Sequence, residues 1–383
     1  MNNYIRLILS SIATCSFVLL NAQSAFNNFG NVQIHNQGQV GFHINLENNG
    51  TFNENLGLAG FYNLNNSLTI SGTQAPLFYN MEVAVDNDLY LEINTQVSNT
   101  LSYIIGDIIT PRENLLNSLD YLNDALFVAE DDLRLTDGYA SYTGNNSFRF
   151  PIGDDNKLRP IILPAQVNSS KFKAAYFNED PNFPSTFSIN FDTNNSENIL
   201  NSISTEEFWD FNGDESTFIT LTWNQESQIS NLTDDLMNLR VVGWSKTESK
   251  WVDLGNTNVT GDINNGTINS FEFIPNNFEI ITFGGLIGSN GLTVYNGVSP
   301  NGDGLNDFFV IEGVELFNSE LKIFNRWGRT VYDAKNYKNT FNGISNKKVV
   351  GSQGNKLPVG TYFYVLDLPQ DNKTYSGWIY LNY

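Results

Sequence analysis

Apolar residues in this chain alternate with polar ones in short runs, and turn formers close every run. Val32-Gln33-Ile34, Val40-Gly41-Phe42-His43-Ile44, Leu68-Thr69-Ile70, Met81-Glu82-Val83-Ala84-Val85 and Leu89-Tyr90-Leu91-Glu92-Ile93 all carry the period of two that turns one face of a strand toward a core. Asn36-Gln37-Gly38, Asn48-Asn49-Gly50, Asn65-Asn66-Ser67 and Asp86-Asn87-Asp88 stand between them. Asn and Gly tolerate the positive φ that tight turns require. Over residues 31–111 the turns recur about every 12 to 20 residues, with no helix-length apolar period between them. One strand per turn cluster predicts a β-solenoid, and an antiparallel meander satisfies the same pattern.

The β pattern continues down the chain. Leu115, Leu116, Leu119, Leu122 and Leu126 fall near helical spacing, but Ala125-Leu126-Phe127-Val128 reads as a strand, so no long helix is expected there. A second module starts at Phe148. Phe218–Trp223, Leu239–Trp244 and Trp251–Leu254 alternate between turns, which reads as a β-sandwich. Gly284-Gly285-Leu286-Ile287-Gly288-Ser289-Asn290-Gly291 reads as a flexible linker. The expected organisation over 383 residues is a leader at 1–22, a β-solenoid-like or meander region at 23–147, a β-sandwich at 148–284, a linker at 285–291 and a terminal module at 292–383.

The leader is read from Arg6, the apolar run Leu7 to Leu20 and the small-residue site Leu20-Asn21-Ala22 before Gln23, the anatomy of a secretory signal peptide. The apolar run is shorter than the roughly 20 residues a membrane span needs. No transmembrane segment is expected in the mature chain. Cys15 is the only cysteine. It could be a lipid-attachment site, but Thr14 before it and the apolar residues after it favour a plain leader residue. The mature chain then has neither disulfide nor thiol chemistry.

Charge divides the chain at about Gly291. Residues 23–291 hold 10 Lys+Arg and 33 Asp+Glu, and residues 292–383 hold 9 and 8. The overall net charge of −21 gives no basic footprint, so a nucleic-acid partner is not expected. The break suggests two modules with different tasks.

The terminal module opens Ser299-Pro300-Asn301-Gly302-Asp303-Gly304-Leu305-Asn306-Asp307. It continues Leu321-Lys322-Ile323-Phe324-Asn325-Arg326-Trp327-Gly328, and closes Leu357-Pro358-Val359-Gly360-Thr361-Tyr362-Phe363-Tyr364 and Tyr375–Leu381. In order and spacing these motifs resemble the gliding-motility-associated C-terminal domain, the type B sorting domain of type IX secretion cargo. The resemblance covers about a quarter of the chain. It implies an Ig-like β-sandwich, handling by the type IX secretion machinery, and a final location outside the cell or on the outer-membrane surface. Phe341-Asn342-Gly343 stands where the family often has Trp-Asp-Gly; the aromatic and the turn are both retained. The run Phe148 to Pro160 is similar to segments of the extracellular, adhesin-like cargo that carries this module. From alternation alone, Ile323, Trp327, Val331, Tyr362, Tyr364, Trp378 and Tyr380 are expected to fill a small core. The closing strand is expected at a sheet edge.

Few residue groups suggest chemistry. His35 and His43 are the only histidines, no nucleophile elbow is present, and zinc would need more His or Cys. Glu206-Glu207, Asp214-Glu215 and Asp154-Asp155 could supply a carboxylate pair, but neighbours on a strand point to opposite faces. Asn301, Asp303 and Asp307 have oxygen ligands at calcium-loop spacing but lack the bidentate acid of an EF-hand; an Asx-type turn uses the same residues. Beyond possible calcium no cofactor is expected. Trp209, Trp223, Trp244 and Trp251 could form a sugar-stacking strip, with buried core rings as the favoured reading. The expected function is structural or adhesive and non-enzymatic. A carbohydrate-binding protein with a surface glycan as ligand is the nearer alternative, and a hydrolase the further one.

Overall fold

The structure is a computed structural model, and residues 25–286, 292–347, 356–369 and 373–383 are described. The leader with Cys15, residues 287–291 of the expected linker, and residues 348–355 and 370–372 lie outside the described residues. Strand accounts for 49% of the described residues and helix for 4%, so the fold is all-β. Among the described residues no helix is long and apolar enough to cross a membrane.

The first part is a β-solenoid of about six turns, so the meander alternative falls. The strands are β1 (Ala25–Asn28), β2 (Gln39–Phe42), β3 (Asn45–Asn48), β4 (Leu58–Asn63), β5 (Leu68–Gly72), β6 (Leu77–Val85), β7 (Leu89–Leu91), β8 (Thr95–Ile105), β9 (Ile108–Ile109), β10 (Leu119–Leu122), β11 (Leu126–Val128), β12 (Thr136–Asp137) and β13 (Ala140–Gly144). Through β10 they alternate between two sheets. One runs β1-β3-β5-β7-β9-β12, the other β2-β4-β6-β8-β10-β13. Every pair along these paths is parallel, as in Phe26 opposite Leu46 and Phe61 opposite Val83. Residues about one rung apart therefore stack in columns, and a buried apolar residue sits on others of its kind. Phe42 stacks on Phe61 with ring centroids 5.0 Å apart.

The corners are held by side-chain amides. Ile34 N donates to Asn55 Oδ1 at 2.8 Å, and Asn55 Nδ2 donates to the Leu77 carbonyl at 2.7 Å. Thr69 N donates to Asn45 Oδ1 at 3.0 Å. Gly72 takes φ +118°, and a Cβ there would meet the Asn48 carbonyl at 2.2 Å, so only glycine fits this corner.

The second sheet does not stop with the solenoid. β13 pairs antiparallel with Ser170–Phe177, and the sheet continues through Phe208–Asn212, Phe278–Leu286, Leu239–Ser245 and Trp251–Gly255. A separate five-stranded sheet is formed by Phe148–Arg149, Ile161–Leu163, Thr220–Trp223, Asn265–Asn269 and Asn258–Asp262. Trp223 of that sheet meets Phe283 of the larger one edge-on at 6.2 Å.

By contact, the described residues fall into two compact units. One comprises the described residues of 25–195, 204–229 and 241–283, the other those of 196–203, 230–240 and 284–383. Gly285 and Leu286 are not linker. They end the strand Phe278–Leu286, where Gly285 pairs with Ser202 and Leu286 with Leu200.

In the second unit a five-stranded sheet runs Gly297–Val298, Lys373–Leu381, Gly360–Leu368, Glu320–Phe324 and Thr330–Lys335. Its core holds Val298, Phe309, Ile311, Ile323, Val331, Phe341, Tyr364 and Leu381. The closing strand is not a free edge along its whole length. Lys373–Leu381 pairs fully with Gly360–Leu368 on one side, and Gly297 and Val298 pair with Tyr380 and Leu381 on the other.

Candidate functional site: the outward face of the terminal sheet

Alternation gives each strand of the terminal sheet two faces, and the register decides which is buried. Ile323 lies opposite Tyr364, and Tyr362 lies opposite Ile379, all on the core side. The other side carries Phe324 opposite Phe363 and Phe363 opposite Trp378. These rings form a row across three neighbouring strands, with Tyr380 one step along. Trp378 is 50% exposed. Trp378 and Tyr380 thus leave the expected core, because Ile379 and Leu381 between them take the inward positions. Trp327 also leaves it, being 74% exposed. It sits in a turn where Asn325 Oδ1 accepts the Trp327 and Arg329 amides at 3.1 and 3.0 Å, and the Arg326 guanidinium lies 4.2 Å from its ring centre. Ile323, Val331, Tyr362 and Tyr364 are buried as expected.

Several bonds brace this face from behind. Tyr337 is buried, donates to the Phe309 carbonyl at 2.6 Å and accepts the Phe341 amide at 3.1 Å. Burial pushes its phenol well above the usual range. Phe341 is fully buried, and Gly343 takes φ +76°, so the Phe-Asn-Gly segment supplies both a core ring and a turn. Tyr383 donates to the Leu357 carbonyl at 2.9 Å, and the Lys356 ammonium lies 3.5 Å from its ring centre.

The loop of Asn301, Asp303 and Asp307 is exposed and internally bonded. Both Asp307 oxygens accept backbone amides, from Gly302 at 2.8 Å and Gly304 at 3.0 Å. Asp303 Oδ1 accepts the Leu305 amide at 2.8 Å, and Asp303 Oδ2 accepts Asn301 Nδ2 at 3.0 Å. This is the bonding of nested Asx turns. Among the described residues no group of three or more His, Cys, Asp or Glu could hold a metal.

The other sequence candidates are structural in their contacts. Trp209, Trp223, Trp244 and Trp251 are all buried, so they form no exposed strip. His43 is exposed, and its Nδ1 lies 3.1 Å from the Tyr62 carbonyl. Glu207 is buried and Glu206 half-buried, both just before the strand Phe208–Asn212 rather than on a strand. Arg159 Nε donates to Glu207 Oε2 at 3.2 Å, and Tyr176 donates to the same oxygen at 2.7 Å. Burial raises the Glu207 carboxyl, and the Arg159 guanidinium pulls it back. Asp154 lies 3.4 Å from Arg112, which also donates to Asp137 at 2.6 Å and to the Gly153 carbonyl at 3.0 Å. Sequence reasoning did not find Arg112 or Tyr176. Nothing near them in the chain marks partners that lie 25, 31 and 41 residues away.

No curated protein and no solved structure matches the chain. Residues 292–381 match the CHU_C type IX secretion signal domain family. The module that displays the aromatic row is therefore the sorting domain of a type IX secretion cargo protein.

Proposed function

We propose that the chain is a cell-surface or released β-protein whose solenoid serves a structural or adhesive, non-enzymatic role. Export by type IX secretion follows from the terminal domain and implies handling by that machinery. Location outside the cell or at its surface follows with it. The finer reading is of a central β-sandwich and an Ig-like terminal sandwich, with the row Phe324, Phe363 and Trp378 as the surface the machinery grips. The observation that carries it is this row of rings, Phe363 and Trp378 exposed and Phe324 half-buried, on a module with a packed core behind it. The non-enzymatic reading is supported by the acids. Glu207 is tied to Arg159 and Tyr176, and Asp154 to Arg112 and the Asn178 amide. Deleting residues 292–383 tests the export role: the shortened chain should accumulate in the periplasm, and unchanged surface display would refute it.

A carbohydrate-binding reading has one observation in its favour. Tyr62 and His43 face each other with ring centres 5.7 Å apart beside Asn63 and Asn65 on the flank of the solenoid. A glycan screen of the intact protein and of Tyr62→Ala tests it: binding that Tyr62→Ala removes supports it, and no binding by either ends it.

A further inference from the structure

The solenoid core is open at its first rung. In the column Phe26, Leu46, Ile70 the exposures are 38%, 0% and 0%, and in the column Val40, Ala59, Met81 they are 40%, 0% and 0%. Phe26 and Val40 point into the core like the residues above them. They are exposed because no rung lies beneath them among the described residues. Among the described residues β1 and β2 are also the end strands of their sheets, so their outer amides and carbonyls meet no described partner strand. Such an end normally needs a polar cap or edge charges. The other end strands in this unit have them. Lys157, Arg149, Asp253 and Asp262 lie on Lys157–Leu158, Phe148–Arg149, Trp251–Gly255 and Asn258–Asp262. The first rung has none: residues 23–46 contain no Asp, Glu, Lys or Arg, whereas residues 23–291 as a whole contain 33 acids.

We propose that this uncharged rung is a self-association surface, where a second copy of the chain docks its own first rung by edge-to-edge strand pairing. A two-fold contact sets the same patch against itself, so any net charge on it would repel. The rest of the solenoid surface is strongly acidic and disfavours contact between copies. The first rung alone lets two copies meet without like charges, while continuing each apolar column with apolar material. The inference rests on the leader reading, since cleavage before Gln23 leaves two residues ahead of β1, too few for a capping strand. It does not depend on the export role.

Sedimentation equilibrium of the chain beginning at Gln23 tests it. At about 100 μM the average mass should approach twice that of one chain, because a contact with a Kd of about 10 μM would then hold about four-fifths of the chains in dimers. Val40→Lys should halve the mass. Asn27→Lys, which charges the edge without entering the core, should do the same. Val167→Lys, at an exposed residue elsewhere, should stay dimeric. A single-chain mass for the unaltered protein overturns the proposal and leaves the rung to a foreign strand. A dimer that survives both Val40→Lys and Asn27→Lys overturns it too.

Discussion

Asn28 Nδ2 donates to Asn48 Oδ1 at 2.7 Å, and both side chains are buried. Asn48 in turn donates to the Gln74 carbonyl at 2.7 Å, so one amide links three rungs. In a fold without disulfides, such buried amides fix the register that parallel strands alone leave loose. Asn48→Ala would leave the Gln74 carbonyl short of a donor and Asn28 short of an acceptor. The expected loss is about 1–3 kcal/mol, read as a lower urea midpoint with an unchanged slope.

Asp210 is buried, accepts the Tyr139 hydroxyl at 2.6 Å, and has its carboxyl pushed up to about 6 by desolvation. An unfolded Asp titrates near about 4, so between about 4 and 6 the folded protein holds the extra proton. The stabilising contribution of this group is therefore complete below about 4 and lost as pH rises through about 6. Asp107, also pushed up to about 6 by burial, acts in the same direction. The melting temperature should fall from pH 5 to pH 7, and Asp210→Asn should flatten that fall; an unchanged slope in the variant would contradict the assignment.

Phe363 and Trp378 lie opposite each other on the outward face, while Tyr364 next to Phe363 is buried. Phe363→Ser with Trp378→Ser should shift the melt of the sorting domain little and slow export strongly. Tyr364→Ala should destabilise it by about 3 kcal/mol or more. Export at the normal rate by the double variant would show that the row is not the gripped surface.

The bonding at Asn301, Asp303 and Asp307 predicts that calcium has little to add. Chelation should leave the melting temperature unchanged, whereas Asp307→Ala, which frees the Gly302 and Gly304 amides, should lower it. A fall on chelation that added calcium reverses would instead make these oxygens ion ligands.

Much of this was legible in the sequence, and the misses share a cause. Alternation identified strands at the runs from Val40, Leu68, Met81 and Leu89, each beside an Asn- or Gly-rich turn, but Val32-Gln33-Ile34 lies outside any strand. It did not identify partners. Phe26 meets Leu46, 20 residues on, and nothing local separates that parallel pairing from an antiparallel meander. Likewise Tyr375–Leu381 showed two faces without saying which was inside, so Trp378 and Tyr380 were assigned to the core that Ile379 and Leu381 occupy. Gly285 looked like linker because glycine also marks flexible chain. Here it permits close approach, since a Cβ would meet the Leu232 carbonyl at 2.1 Å. The aromatic row was invisible for the same reason as the Arg112 contacts: each depends on residues that meet only after folding.

The most direct test is transfer. Residues 292–383 joined behind an unrelated, folded passenger with its own leader should carry that passenger across the outer membrane of a host with type IX secretion, and leave it periplasmic in a host lacking the system. A passenger that stays in the periplasm of the competent host would contradict the claim that this domain is sufficient to direct export.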